Sequence, residues 1–219
     1  SLATSHEMWG LQVPVFARHF RVVAFDMRGH GASAAPKAAY TLDQLADDVV
    51  GIADHLGLKR FSFAGLSIGG MIGQTLGFRH GARLERLILS STLMGIVGAD
   101  GAKAWDERNV LVKEKGVATQ IEGTMARWLS ADFQKHAPLT SQWIRDLIAA
   151  TPADGYAGCG EAIKGMQLTA DRLGASPRDT SKRSARTTMD RPPRERHAWR
   201  QSSPAGAAGR LRRSTSAAP

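Results

Sequence analysis

Residues 60 to 77 read RFSFAGLSIGGMIGQTLG, and within them Gly65-Leu66-Ser67-Ile68-Gly69 sets a serine between two glycines. A short apolar run precedes the serine and a run of helical character follows at once. A serine on so tight a strand-to-helix turn takes strained backbone dihedrals. The residues two before and two after it are expected to be small so that the chain can pass. The turn lifts the hydroxyl above the sheet edge, and the helix N-terminus beneath it favours developing negative charge. The pattern demands a strand, a turn and a helix in that order, and it nominates Ser67 as a nucleophile. The plainer alternative is a glycine-rich packing turn with an incidental serine.

The flanking sequence supplies the layers such a turn needs. Residues 6–20 place apolar side chains at helical spacing, limited at the start by Pro14. FRVVAFD at 20–26 reads as a buried strand, and DMRGHGASAAP at 26–36 as a glycine-rich turn. Thr41 is the expected N-cap of a helix carrying Leu42, Leu45, Val49, Ile52 and Leu56 on one face, with Gly57 as its stop. Strands are expected at 60–65 and 84–92, and a helix at 67–80. Strand, helix, strand, helix, strand argues for a parallel sheet with helices on its faces. After residue 95 the pattern changes. Helices are expected at 102–116, 118–130, 141–150 and 158–173, with no strand between them. A helical insertion after such a half-sheet suits a lid over an active site.

Charge divides the chain unevenly. The formal net charge is +9, but residues 175–219 hold 11 Lys+Arg against 3 Asp+Glu. Residues 1–174 hold 18 basic and 17 acidic residues, so the body is nearly neutral. The tail has no Ile, Val, Phe or Tyr. It is expected to be disordered, because it cannot bury enough surface to offset its ordering entropy. Non-specific phosphate binding is the only nucleic-acid reading the tail offers, since no RNA- or DNA-binding motif accompanies its charge. No apolar run is long enough to span a membrane. The single cysteine, Cys159, cannot form an internal disulfide, which fits a cytoplasmic protein. The chain opens on Ser1 inside what reads as a functional loop, so the N-terminus is expected to be truncated. No Cys/His cluster has metal-ligand spacing.

The serine turn, FDMRGHGAS before it and SLATSHEMW at the start together resemble the α/β-hydrolase fold. Within that fold the chain is similar to the 3-oxoadipate enol-lactonases, through S-L-x-T-x-x-x-M-W, G-L-S-I-G-G-M-I-G, R-W-L-S and Y-A-G-C. Esterases and haloperoxidase-like hydrolases share the broader features. The resemblance covers residues 1–174. It implies a partial core at 1–95, a helical lid and return to the core at 96–174, and a basic tail at 175–219. It implies hydrolysis of a carboxylic ester or lactone in aromatic-compound degradation, through the β-ketoadipate pathway, without a cofactor. Ser67 would attack the carbonyl, and the backbone N–H groups of Leu2 and Ile68 would hold the oxyanion. Arg127 would meet a substrate carboxylate, its planar fork being suited to bidentate pairing, with Trp128 as an apolar wall. Plainer readings are a solvated helix charge for Arg127 and packing for Trp128. His30 and Asp26 are expected to shape the glycine-rich turn. Asp47 and Asp48 are expected on a helix, one or both solvated, and His80 and His136 at the surface or at helix ends.

A serine hydroxyl needs a base, and the fold's chain order is serine, acid, histidine. Beyond residue 174 neither a strand nor an oriented acid is visible. His197, the only histidine there, lacks surroundings that would position it as a base. A frameshift is the expected cause. Read from the third base of the Arg186 codon, the codons compatible with residues 186–204 admit Asp-Asp-Gly-Ser-Thr-Pro-Pro. That resembles the family's acid-bearing loop. The family's sheet order, 1-2-4-3-5-6-7-8, would leave this chain with strands four, five and six, and with unpaired edges that favour aggregation.

Overall fold

The computed structural model describes residues 1–168. The basic tail and His197 lie outside the described residues. A 3₁₀ turn at His6–Trp9 leads into α1 (Val13–Phe16), where Pro14 sits in the first turn. Then come α2 (Leu42–His55), β1 (Phe61–Leu66), α3 (Ile68–Arg79) and β2 (Leu84–Ser90). The second half holds β3 (Gly95–Ile96), α4 (Ala99–Lys115), α5 (Ile121–Trp128), α6 (Ala131–His136), α7 (Pro138–Ala149), α8 (Ala153–Lys164) and β4 (Gln167–Leu168).

The expected α2 forms as read. Thr41 is extended, and its Oγ1 accepts the Gln44 N–H at 3.1 Å. Leu42, Leu45, Ala46, Val49 and Ala53 are buried. Gly57 ends the helix at φ +69°, a left-handed conformation that glycine adopts at no steric cost. β1 and β2 pair in parallel from Phe61 opposite Leu84 to Leu66 opposite Ser90, with one irregularity between Phe61 and Phe63. α3 packs on this pair through glycine. A Cβ on Gly73 would sit 2.8 Å from Leu89 and 3.1 Å from Leu87, so the bare helix face lets the leucines rise against it. On the other face Ile88 is 56% exposed.

Two sequence expectations are corrected. Residues 20–26 form no strand: the run joins no ladder among the described residues. Apolar content signals burial, whereas a strand also requires a neighbour that supplies its ladder, and none lies alongside. The sheet therefore holds two parallel strands of the expected three. The second correction concerns the half after residue 95, which is not purely helical. β3 and β4 form a two-residue antiparallel bridge, Gly95 opposite Leu168 and Ile96 opposite Gln167. The last helix accordingly ends at Lys164, short of the expected 173.

Two apolar clusters result. The first joins α2, α3, Leu84 and α8 through residues such as Leu45, Val49, Ile68, Leu76, Cys159 and Ile163. The second joins Ala3 to the helical half through Val112, Val117, Met125, Ile148 and Tyr156. Leu2 and Trp105 touch both. Helix α8 also meets the glycine-rich turn without intervening side chains: a Cβ on Gly29 would lie 2.5 Å from the Gly155 Cα. Asp47 is exposed and Asp48 half-buried on α2, and both are paired. Asp48 takes two hydrogen bonds from Arg28, at 2.8 and 2.5 Å, and Asp47 pairs with Arg79 and His80. His80 caps the end of α3 and His136 closes α6, both as read.

Candidate active site

Ser67 stands between β1 and α3 at φ +55°, ψ −118°, a conformation that costs a non-glycine residue free energy. Its own peptide groups hold it there. Its N–H donates to Ser90 O at 3.0 Å, and its carbonyl accepts from Gly70 N, Met71 N and Thr92 Oγ1 at 2.9, 3.1 and 2.7 Å. The glycine requirement is only half as expected. A Cβ on Gly65 would collide with the Gly69 carbonyl, but a Cβ on Gly69 itself would meet nothing within 4 Å. The second tight position is Gly70, where a Cβ would lie 2.5 Å from the Thr92 Cβ.

Ile68 is the first residue of α3 and is fully buried. Its N–H has no intrahelical acceptor, as for every first-turn amide. Leu2 packs against the apolar cluster that contains Ile68. Among the described residues no acceptor is bonded to the Leu2 N–H. Ile68 directly follows Ser67 at the start of α3, and Leu2 packs on the same apolar cluster as Ile68; neither the Leu2 nor the Ile68 amide is committed to an acceptor among the described residues.

The Ser67 hydroxyl has no hydrogen-bond partner among the described residues. The histidines there are engaged elsewhere or far along the chain. His6 bonds Asp26 at 3.0 Å, His80 bonds Asp47 at 2.7 Å, and His136 bonds the Asp132 carbonyl at 2.9 Å. His19 stacks edge-on with Phe20, and His55 lies in the last turn of α2. His30 is wholly buried and binds the Ala3 amide. Burial lowers its pKa from the ordinary 6.5 to about 4, so it stays neutral. Asp26 orders the turn as expected. Burial works against its charge, yet the N–H groups of Ala32 and His6 together with the His6 ring hold its carboxyl below the ordinary value. No His, Cys, Asp and Glu grouping among the described residues could hold a metal ion.

Arg127 lies exposed in the last turn of α5, its Nη2 on Thr124 Oγ1 at 3.0 Å. Trp128 ends the same helix at 40% exposure and belongs to neither apolar cluster. Sequence reading missed a second guanidinium. Arg108 on α4 stacks over the Trp105 ring at 4.6 Å, and its charge acts on the Tyr156 phenol. Burial raises the Tyr156 pKa, and Arg108 and Arg127 both oppose that rise. The i, i+3 spacing of Trp105 and Arg108 was the available signal.

Comparison with known proteins agrees with this geometry. A family model described as the alpha/beta hydrolase fold matches residues 1–157. The chain is 35% identical over 163 residues to 3-oxoadipate enol-lactonase 2 of Acinetobacter baylyi, covering 74% of this chain and 60% of that protein. The structure of an enol-lactonase from Burkholderia xenovorans superposes with a TM-score of 0.72 at 39% identity, covering 77% of this chain and 64% of that one. A thermophilic esterase from Thermogutta terrifontis superposes with a TM-score of 0.77 at 25% identity, covering 80% and 65%. The chain therefore spans about 60% of the length of the first of these relatives. No helix among the described residues is long and apolar enough to cross a membrane. A serine on a strained turn between parallel strand and helix, and a family match over most of the described residues, lead to one assignment: the chain belongs to the α/β-hydrolase fold family.

Proposed function

We propose that this chain carries the nucleophile and oxyanion-binding half of a serine hydrolase acting on carboxylic esters or lactones. Ser67 held at φ +55° at the entry to α3, directly before the uncommitted Ile68 amide, is the observation that carries the reading. The Ser67 Oγ adds to the substrate carbonyl and its proton passes to a base. The oxyanion is held by the N–H groups of Leu2 and Ile68; the acyl C–O bond then breaks as the base returns its proton to the leaving oxygen, which departs from an ester and stays tethered in a lactone, and water releases the acid from the acyl-enzyme. The base is not among the described residues, so turnover by this chain is expected to be slow.

The substrate class favoured is an enol-lactone bearing a carboxylate, as in 3-oxoadipate enol-lactone breakdown during aromatic degradation in the cytoplasm. The names of the Acinetobacter and Burkholderia relatives support this. The Thermogutta relative supports a simple ester as the second reading. Arg127 is the proposed carboxylate partner and Trp128 an apolar wall beside it. The division of labour follows: residues 1–95 furnish the nucleophile, and 96–174 cover it.

The test is rapid mixing of the purified chain with p-nitrophenyl acetate. A burst of p-nitrophenolate approaching one per chain, abolished in Ser67→Ala, is expected. Equal rates for the two proteins would overturn the reading.

A further inference from the structure

The loop that supplies Leu2 contains an unusual residue. Ala3 is a non-glycine residue at φ +59° and is 2% exposed. A left-handed alanine persists only where its surroundings hold it. What holds it comes from 27 residues away: the Ala3 N–H donates to His30 Nε2 at 3.0 Å, in the interior.

The imidazole is itself fixed. Its Nδ1 lies 3.3 Å from the Arg28 carbonyl, which can only accept. The hydrogen therefore sits on Nδ1, and Nε2 presents a lone pair to Ala3. The backbone around it is a closed turn. His30 N–H donates to Met27 O, Gly29 N–H to Ala34 O and Ser33 N–H to His30 O, all within 3.0 Å. Gly29 and Gly31 take positive φ to make that turn. The turn grips the first loop a second time, through Asp26, which accepts the His6 N–H at 2.5 Å.

We propose that His30 is a positioning residue for the oxyanion site. By binding the Ala3 N–H it holds the Leu2–Ala3 peptide and the left-handed Ala3 that follows, and so sets the course of the loop on which the unclaimed Leu2 N–H is available to the substrate oxyanion. The inference rests on the reading of Leu2 as an oxyanion donor. His30 touches no substrate and transfers no proton. Its role requires a neutral ring with an acceptor at Nε2.

The test compares His30→Phe, which keeps a buried ring and removes the acceptor, with His30→Gln, which returns an acceptor at similar reach. Acylation by p-nitrophenyl acetate should slow roughly 10- to 100-fold in His30→Phe, a part of what losing an oxyanion donor costs. The KM for the ester should stay within about twofold, because ground-state binding is untouched. His30→Gln should recover most of the rate. Equal losses in both variants, or full activity in His30→Phe, would overturn the proposal. Should the unaltered chain fail to acylate, the proposed function fails and His30 is judged by nuclear magnetic resonance. A coupling between the Ala3 amide and His30 Nε2, with Leu2 and Ala3 amide signals that shift or broaden in His30→Phe and not in His30→Gln, supports positioning. Leu2 and Ala3 signals unchanged in His30→Phe overturn it.

Discussion

At the scale of single residues, the site is built from conformations that most side chains avoid. Gly65 is the clearest case, since any Cβ there would run into the Gly69 carbonyl, which cannot rotate away. Gly65→Ala is expected to destabilise the fold by more than about 2 kcal/mol, a size typical of backbone collision at a special turn. Urea unfolding followed by circular dichroism would measure it. His30 gives a pH prediction. Its ring is faced by Asp26, by Arg28 from the same turn, by the Cys159 thiol of α8 at 4.0 Å, and by the Ser1 amino group, whose pKa burial lowers to about 5. The unfolded imidazole takes a proton below its ordinary 6.5, while the folded one stays neutral down to about 4. The stability this group contributes is therefore complete above pH 6.5 and is lost as the pH falls toward 4. The loss is on the order of 3 kcal/mol at most. His30→Gln should flatten the urea midpoint across that window. Ser67 and Gly65 were legible in the sequence because the elbow is a local device, whereas the tightness at Gly70 depends on Thr92, remote in the chain. Ala3 was not: alanine announces no positive φ, and its partner His30 is remote in the chain.

At the scale of elements, periodicity succeeded where a face packs on a core and failed where pairing decides. α2 was readable from its apolar stripe and from Thr41, whose cap bond is present. Thr41→Ala should cost about 1 kcal/mol, read as a lower urea midpoint with unchanged slope. Residues 20–26 carry the composition of a strand without a ladder, because hydrogen-bond partners are a property of neighbours. The β3–β4 bridge joins Gly95 to Leu168 over two residues, too short for any alternation to be seen. Arg108 was passed over because a lone helix cation resembles any other until Trp105 and Tyr156 are placed beside it. Arg127→Ala should raise the KM for a carboxylate-bearing ester several-fold more than for p-nitrophenyl acetate, measured in parallel on the same preparation.

At the scale of the molecule, the two-stranded parallel sheet leaves strand edges and apolar side chains uncovered. Phe20, Val23, Ile88, Leu93 and Met94 are all at least 41% exposed. Such a surface invites association between copies. The sedimentation coefficient of the purified chain should rise with concentration, and heating should give irreversible aggregation. A monodisperse chain with one reversible cooperative transition would contradict this. The nucleotide sequence across codons 170–219, read in three frames, is expected to contain one frame with an Asp-Gly-Ser-Thr-Pro-Pro stretch and a later histidine.

The bare contact between Gly29 and Gly155 has a consequence for how such molecules diversify. Two backbones that touch without side chains form a joint with no adjustable parts. The helices from Ala99 to Lys164 can exchange their outward residues freely, provided this joint keeps its glycines. That makes the helical half a transplantable module. A graft of the same region from the Burkholderia lactonase should seat on this chain if a glycine occupies the position of Gly155, and a single alanine there should unseat it. The same joint lies beside the imidazole that holds Ala3, so it would help to align a transplanted cover with the oxyanion loop.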